Sequence, residues 1–389
     1  MIGSKLVCCF IAQYLVTSLA LIRDTSQVKV SRLYNHQAGV TTGEERVRTI
    51  PFVTTVSTAE HGRALSSLLL PEDRVLELGS QLDTNTRTIL DKVSGQGRGV
   101  FVDVKRTETL SGRSCQGSRD ADMFSGSETR GNTEYIEIES FSQWKSVLDG
   151  RHFDVLVLDS AMLGNTLSLT TIQTVFEFVN DQCRRGNRPR TVIVKSKTIN
   201  SLARRLIHSQ RLQDGSIQRN LKAPARDGKP YIVASVGVEE YRRSIPHAIK
   251  PTDECIEIGC FSGRTTNLVD EAARYCIGVD IGPKIIRRAK NERPHLHFEV
   301  GDGWNCNDLL RMKRNKLGPT ADIDDILSGF DVVYADIGGL SGPDGTLESL
   351  SLLDALSYSL RPRCIVIKSL CMRRLASSLR PYATMEKSL

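Results

Sequence analysis

Short apolar runs, unbroken by alternating polar residues, recur along this chain. RVLEL, GVFVDV, DVLVLD and TVIVK lie in the first half, and CIEI, CIGVD, VVYA and CIVIK in the second. A strand with one wet face alternates polar and apolar residues, whereas an unbroken run indicates burial on both faces, as in a parallel sheet. Helical stretches such as Leu167–Cys183 and Leu347–Leu360 separate the runs. Alternating strand and helix predicts a doubly wound α/β fold with right-handed crossovers. At 389 residues, 40% apolar and 25% charged, the chain has material for two or three packed domains.

The pattern is written twice. PFVTTVSTAEHGRALSSLLLPEDRVLELGS from Pro51 parallels PYIVASVGVEEYRRSIPHAIKPTDECIEIGC from Pro230. GVFVDVKR then matches CIGVDIGP, FDVLVLDSAML matches FDVVYADIGGL, and TVIVKSKTINSLARRL matches CIVIKSLCMRRLASSL. Order and spacing hold over roughly 180 residues, the mark of a duplicated unit. The expected architecture is two tandem Rossmann-like domains, 51–229 and 230–389, after a linker at 23–50. The Ser/Gly/Arg-rich stretch Lys105–Glu134 reads as a surface loop that cannot build a core.

Residues 1–22 carry Lys5, an apolar run Leu6–Ile22 and a small-x-small site at Ser18-Leu19-Ala20, with Arg23 following. They read as a signal peptide or a membrane anchor, with an amphipathic leader as a third reading. Such a segment would engage a membrane or targeting machinery. With the polar stretch Asp24–Arg48 it forms a candidate bipartite leader for a plastid or the endomembrane system, the cytoplasm being the alternative. Of ten cysteines, Cys255, Cys276 and Cys364 fall in strand patterns, and none forms a C-x-x-C pair. That usage fits a reducing interior and argues against a zinc site. A net charge of +7 and a pI of about 8.9 are compatible with RNA or an anionic cofactor.

Chemistry concentrates at strand ends of the second half. Glu257-x-Gly259-x-x-x-Gly263 follows an apolar strand. Glycine there lets the backbone approach a ligand, and the next helix presents free N–H groups. Asp280 ends the following strand, at the spacing of a ribose-binding acid. Asp302, within Gly301-Asp302-Gly303, and Asp336 end the next two. Carboxylates at successive strand ends suit a ligand with a ribose and an amine. The middle glycine of a dinucleotide fingerprint is missing, although an NAD-dependent protein using the same crevice is a rival.

These motifs resemble those of class I S-adenosylmethionine-dependent methyltransferases, over Thr252 to about Leu379. The resemblance implies a cofactor, S-adenosyl-L-methionine, bound through Glu257, Gly259, Gly263, Asp280, Asp302, Gly303 and Asp336. Asp280 would take the ribose and Asp302 the adenine amine; Trp304 would flank the ring, and Asp336 would lie near the methionine end and the acceptor. The family's sheet usually ends in an antiparallel hairpin, for which few residues follow Cys371. The first unit departs from the pattern. Asp83 replaces the second glycine and Glu139 stands near the place of Asp302, while Asp103 and Asp159 remain. It reads as a degenerate scaffold or substrate-docking copy, with an altered second site as the alternative.

The Asn/Asp-Pro-Pro-aromatic signature of amino-nitrogen methylation is absent: ADIGGL and LDSAML stand there. Lys195 and Lys368 follow the fifth strand of each unit. Asp336 with Lys368 resembles part of the catalytic set of RNA ribose 2′-O-methyltransferases of the FtsJ and fibrillarin types, where a lysine assists hydroxyl deprotonation. The basic stretches Arg311–Lys316 and the one from Cys371 are candidate phosphate contacts, or else solvated helix faces. The rival from outside the enzymes is a non-catalytic pseudo-methyltransferase acting as a binding or assembly factor.

Overall fold

The computed structural model describes residues 50–386 apart from 80–83, 94–96, 105–132, 139–142, 144–149, 160–174, 176–177, 180–181, 183–184, 187, 216–218, 224, 226–227 and 342–344. The leader, the linker up to 49 and most of the stretch from Lys105 therefore lie outside the described residues. Thr133 and Glu134, read from sequence as the end of that loop, instead open a strand.

The strands are β1 Phe52–Thr55, β2 Arg74–Leu78, β3 Arg98–Val104, β4 Thr133–Ile138, β5 Val155–Asp159, β6 Thr191–Lys195 and β7 Leu206–His208. They continue as β8 Tyr231–Ser235, β9 Glu254–Ile258, β10 Tyr275–Asp280, β11 His297–Val300, β12 Val332–Ala335, β13 Cys364–Lys368 and β14 Leu379–Pro381. Among the described residues they form two seven-stranded sheets, ordered β14-β1-β6-β5-β2-β3-β4 and β7-β8-β13-β12-β9-β10-β11. Every pairing in them is parallel. The unbroken apolar runs are the reason: β12 and β13 are buried throughout except for Lys368, because helices cover both faces. Each sheet is α/β and Rossmann-like, and strand order reverses between β9 and β12.

The outer strands are exchanged. The helix Lys197–Arg205 packs on the first sheet and runs without a loop into β7, which pairs with β8 of the second. The helix Leu370–Ser378 likewise runs into β14, which pairs with β1 of the first. With no linking residues the chain cannot turn back onto its own sheet. Each exchanged strand satisfies an edge that would otherwise present unpaired N–H and C=O groups. Beyond β13 the second sheet thus continues through parallel β8 and β7, and the antiparallel hairpin usual in the resembled family does not stand at that edge.

Polar contacts recur at matching positions of the two sheets. Asp73 pairs with Arg190, and Asp253 with Arg363. Thr86 Oγ1 donates to Glu77 at 2.8 Å, and Thr266 Oγ1 to Glu257 at 2.5 Å. The backbone N–H of Val56 donates to Glu60 at 2.7 Å, and that of Val236 to Glu240 at 3.0 Å. Lys195 meets Asp159 at 2.7 Å, and Lys368 meets Asp336. Of these acids Asp73, Asp253, Glu77, Glu257, Glu60 and Asp159 are buried, where a lost partner would be costly.

Candidate functional site

The site is built on the turn from β9 into the helix Arg264–Ala272. Gly259 has φ +81°, and a Cβ there would overlap the Asp336 carbonyl oxygen. Gly263, at φ +75°, is the N-cap of the helix, and a Cβ there would overlap the Phe298 ring. Left-handed backbone and close approach both demand glycine. Between them Phe261 also has positive φ, +48°, unusual for a bulky residue. Its N–H donates to Asp280 Oδ2 at 3.2 Å, while Gly282 N–H donates to Asp280 Oδ1 at 3.0 Å. Arg293 Nη1 donates to the Ser262 carbonyl at 2.5 Å. Asp280 therefore both holds the loop and faces it from the end of β10.

A cleft of about 630 Å³ opens at the carboxyl ends of β9–β12, beside the point where strand order reverses. Such crevices are where doubly wound sheets take ligands, and the volume is in the range of small-molecule sites. Glu257, Gly259, Asp280, Asp302, Gly303, Trp304, Asp336 and Lys368 all line it. Gly263 does not; it supports the loop from behind, against Phe298. Asp302 Oδ1 accepts from Trp304 N–H at 3.0 Å, which ties the acid to the aromatic residue beside it. Trp304 is 44% exposed and Ile281 71% exposed, both on the cleft wall. Exposed apolar side chains beside fixed carboxylates suit a flat ring carrying hydrogen-bond donors.

Electrostatics divide the cleft. Glu257 is 2% exposed, and burial pushes its carboxyl up to about 8 against the opposing hydrogen bond from Thr266, with Asp336 adding to the rise. At neutral pH it is mostly protonated, so a cationic group arriving beside it would favour its ionisation. Asp336 and Lys368 form an ion pair on the floor, each about a quarter exposed. Arg242 also lines the cleft, its Nε donating to Thr265 Oγ1 at 3.1 Å. At the start of the helix Arg264–Ala272 it offers a guanidinium to a carboxylate.

Arg242 was not singled out from the sequence, nor were Val238, Phe261 and Ile281, which also line the cleft. Arg242 belongs to the helix Val238–Arg243, whose position comes from the packing of β8 beside β13. The one sequence signal for Ile281 was its adjacency to Asp280. In the first sheet, Asp159 and Lys195 meet as Asp336 and Lys368 do. Asp83, Glu139 and the Asp103 side chain lie outside the described residues, so the altered loop of that half is known from sequence alone.

The basic stretch Arg311–Lys316 is not a continuous solvent-facing patch. Lys313 is 1% exposed and binds Glu254 at 2.8 Å and Ser328 at 2.9 Å. Arg373, in the second basic stretch, is matched by Glu240 at 2.7 Å. Among the described residues no cluster of His, Cys, Asp or Glu is placed to hold a metal ion, and no helix is long and apolar enough to cross a membrane.

No family model matches the sequence, and no curated protein does. Solved structures give partial likenesses. One is a sugar N-methyltransferase from a Streptoalloteichus species, at 16% identity over 31% of this chain and 42% of that one, TM-score 0.23. Another is an amino pentose methyltransferase from Micromonospora echinaspora with S-adenosylmethionine bound, at 18% identity over 31% and 42%, TM-score 0.20. A third is a Plasmodium falciparum dimethyladenosine transferase, at 21% identity over 30% and 38%, TM-score 0.21. This chain spans less than half the length of each, and similarity at this level carries no argument. The fold of this chain is read from its own strand order.

Proposed function

We propose that the chain is an S-adenosylmethionine-dependent methyltransferase with its cofactor in the cleft above β9–β12. One observation supports this most: four strand-end carboxylates, Glu257, Asp280, Asp302 and Asp336, line a single cleft behind a glycine-gated loop. The residues fit the group, because side chains at 259 or 263 would collide with the Asp336 backbone or Phe298 and close the loop's approach. When bound, the cofactor supplies a methyl group already activated on a sulfonium. Asp280 would accept from ribose hydroxyls and Asp302 from the adenine amine, with Ile281 and Trp304 against the ring. Arg242 and the helix start would take the carboxylate, and Glu257 would lie on the amino side. Catalysis then rests mainly on positioning the acceptor.

For the acceptor we propose a hydroxyl, with an RNA ribose as the first class to test. The support is the Lys368–Asp336 pair on the cleft floor, where a lysine can assist removal of a hydroxyl proton. We also propose that the two halves arose by duplication, on the strength of the identical strand order and the recurring contacts. The first half would then serve as scaffold, and residues 1–22 as a targeting segment or anchor.

The test is binding of S-adenosylhomocysteine by calorimetry to the wild type and to Asp280→Ala. Binding by the wild type and its loss in the variant support the assignment; no binding at about millimolar ligand, or equal binding by both, refutes it. Retained binding without transfer of labelled methyl to RNA, protein or small molecules would favour the non-catalytic reading.

A further inference from the structure

We propose that Phe261 and Arg264 form the acceptor subsite of the cleft, where an unpaired nucleotide of single-stranded RNA stacks its base on Phe261 and sets its phosphate against Arg264. The proposal rests on the methyltransferase reading and deepens it, naming residues that hold the acceptor rather than the cofactor.

Three observations carry it. First, Phe261 is strained and exposed at once. It is 60% exposed on the cleft wall, at φ +48°. Glycine would take that backbone at less cost, and no burial of the ring offsets the strain. The turn is nonetheless fixed on every side. Asp280 accepts from the Phe261 N–H, Arg293 donates to the Ser262 carbonyl, and Gly263 N–H donates to the Cys260 carbonyl at 2.8 Å. Cys260 itself is buried in a cluster with Ile286, Leu296 and Phe298. A rigid turn that displays an unpacked aromatic face is preorganised for a flat partner.

Second, Arg264 is a cation without an acid. It is the first residue of the helix Arg264–Ala272, where the helix dipole disfavours positive charge, and the first turn holds no carboxylate. It is exposed, it lines the cleft, and among the described residues it pairs with no acid. Arg242 is tied to Thr265, the next residue in the chain. With Arg242 assigned to the cofactor carboxylate, Arg264 is left for a second anion. Guanidinium geometry matches phosphate oxygens as well as carboxylates.

Third, the supporting motif needs neither residue. Paired contacts align the two halves here, Thr86–Glu77 with Thr266–Glu257. At the places of Phe261 and Arg264 the first half carries Gln81 and Thr84. Its strand Arg74–Leu78 and helix Thr84–Val93 form without them. An aromatic face and a guanidinium three residues apart, on the wall of one cleft, match the base and phosphate of an unpaired nucleotide. A duplex keeps its bases stacked on one another and offers no free face.

The experiment uses the full chain with S-adenosylhomocysteine saturating. Fluorescence anisotropy gives its affinity for a labelled single-stranded RNA of mixed sequence and for an abasic chain of equal length. Phe261→Gly keeps the N–H that binds Asp280 and relieves the strain. It should weaken RNA about 5- to 100-fold, leave the abasic chain unaffected, and hold S-adenosylhomocysteine within about threefold of wild type. Phe261→Tyr should bind RNA as the wild type does. Arg264→Gln should lower the slope of log affinity against log salt by about 0.7, one phosphate contact on a single strand. Should Phe261→Gly fail to fold, Phe261→Asn, which also tolerates positive φ, replaces it. Wild-type RNA affinity in the Phe261 variant, an equal loss on the abasic chain, or an unchanged slope in Arg264→Gln would overturn the subsite. Loss of S-adenosylhomocysteine together with RNA in that variant would overturn it too, by placing Phe261 on the cofactor. A wild type that binds S-adenosylhomocysteine but no RNA defeats the subsite and leaves the cofactor reading standing; one that binds no S-adenosylhomocysteine defeats that reading and the subsite with it.

Discussion

The backbone of Gly259 lies so close to the carbonyl oxygen of Asp336 that no side chain fits between them. The two residues directly follow β9 and β12, the strands that flank the reversal of strand order, and both line the cleft. Gly259→Ala should therefore part the two strand ends as well as strain the loop at φ +81°. We expect S-adenosylhomocysteine affinity to fall at least tenfold and stability by about 1–3 kcal/mol, measured by calorimetry and urea unfolding. Wild-type affinity in this variant would mean that the loop does not cradle the cofactor.

Arg242 offers a sharper test of how the ligand is oriented. Arg242→Gln should weaken S-adenosylhomocysteine about 10- to 100-fold, the worth of a charge-assisted bond at a partly buried site. Binding of 5′-methylthioadenosine, which has no amino-acid portion, should be unchanged. Loss of both ligands would show that Arg242 supports the wall rather than meeting a carboxylate.

Lys368→Met should separate binding from transfer. The Met side chain keeps much of the bulk but removes the cation that meets Asp336. If Lys368 assists hydroxyl deprotonation, transfer of labelled methyl should fall about 100-fold or more, while S-adenosylhomocysteine binding stays within about threefold of wild type. Unchanged transfer would remove Lys368 from the chemistry.

Glu257 gives a pH signature. Its carboxyl titrates at about 8 in the folded protein against a reference of 4.5. Between those values the folded state holds a proton that the unfolded state has released. Stability from this group therefore falls as pH rises through that window, by up to about 1.4 kcal/mol per pH unit. Glu257→Gln keeps an acceptor for Thr266, so its urea-unfolding free energy should decline less between pH 5 and 8 than that of the wild type. Parallel pH profiles would show that Glu257 is ionised in the fold.

The strand exchange predicts cooperative unfolding. β7 completes the second sheet and β14 the first, so neither sheet opens alone without exposing an edge of the other. Far-UV circular dichroism and intrinsic fluorescence should trace one urea transition. A chain ending at Ser378 should unfold at lower urea and aggregate, because β1 is left an open edge.

Residue order alone determined most of the lattice that carries the cleft. β2, β3, β5, β6, β9, β10, β12 and β13 were legible because a strand buried on both faces must be apolar without interruption, a local property. The strand-end residues Glu257, Asp280, Asp302 and Asp336 were legible for a related reason: in a parallel sheet every strand points the same way, so strand ends share one rim. The tertiary structure decided what has no local period. Three-residue strands that follow helices without a loop, β7 and β14, carry no alternation to read, and only packing assigns each to the opposite sheet. Packing also turned Lys313 from a basic surface residue into the buried partner of Glu254 and brought Arg242 to the cleft wall. It raised the carboxyl of Glu257 as well, because burial belongs to the folded surroundings and not to the residue itself.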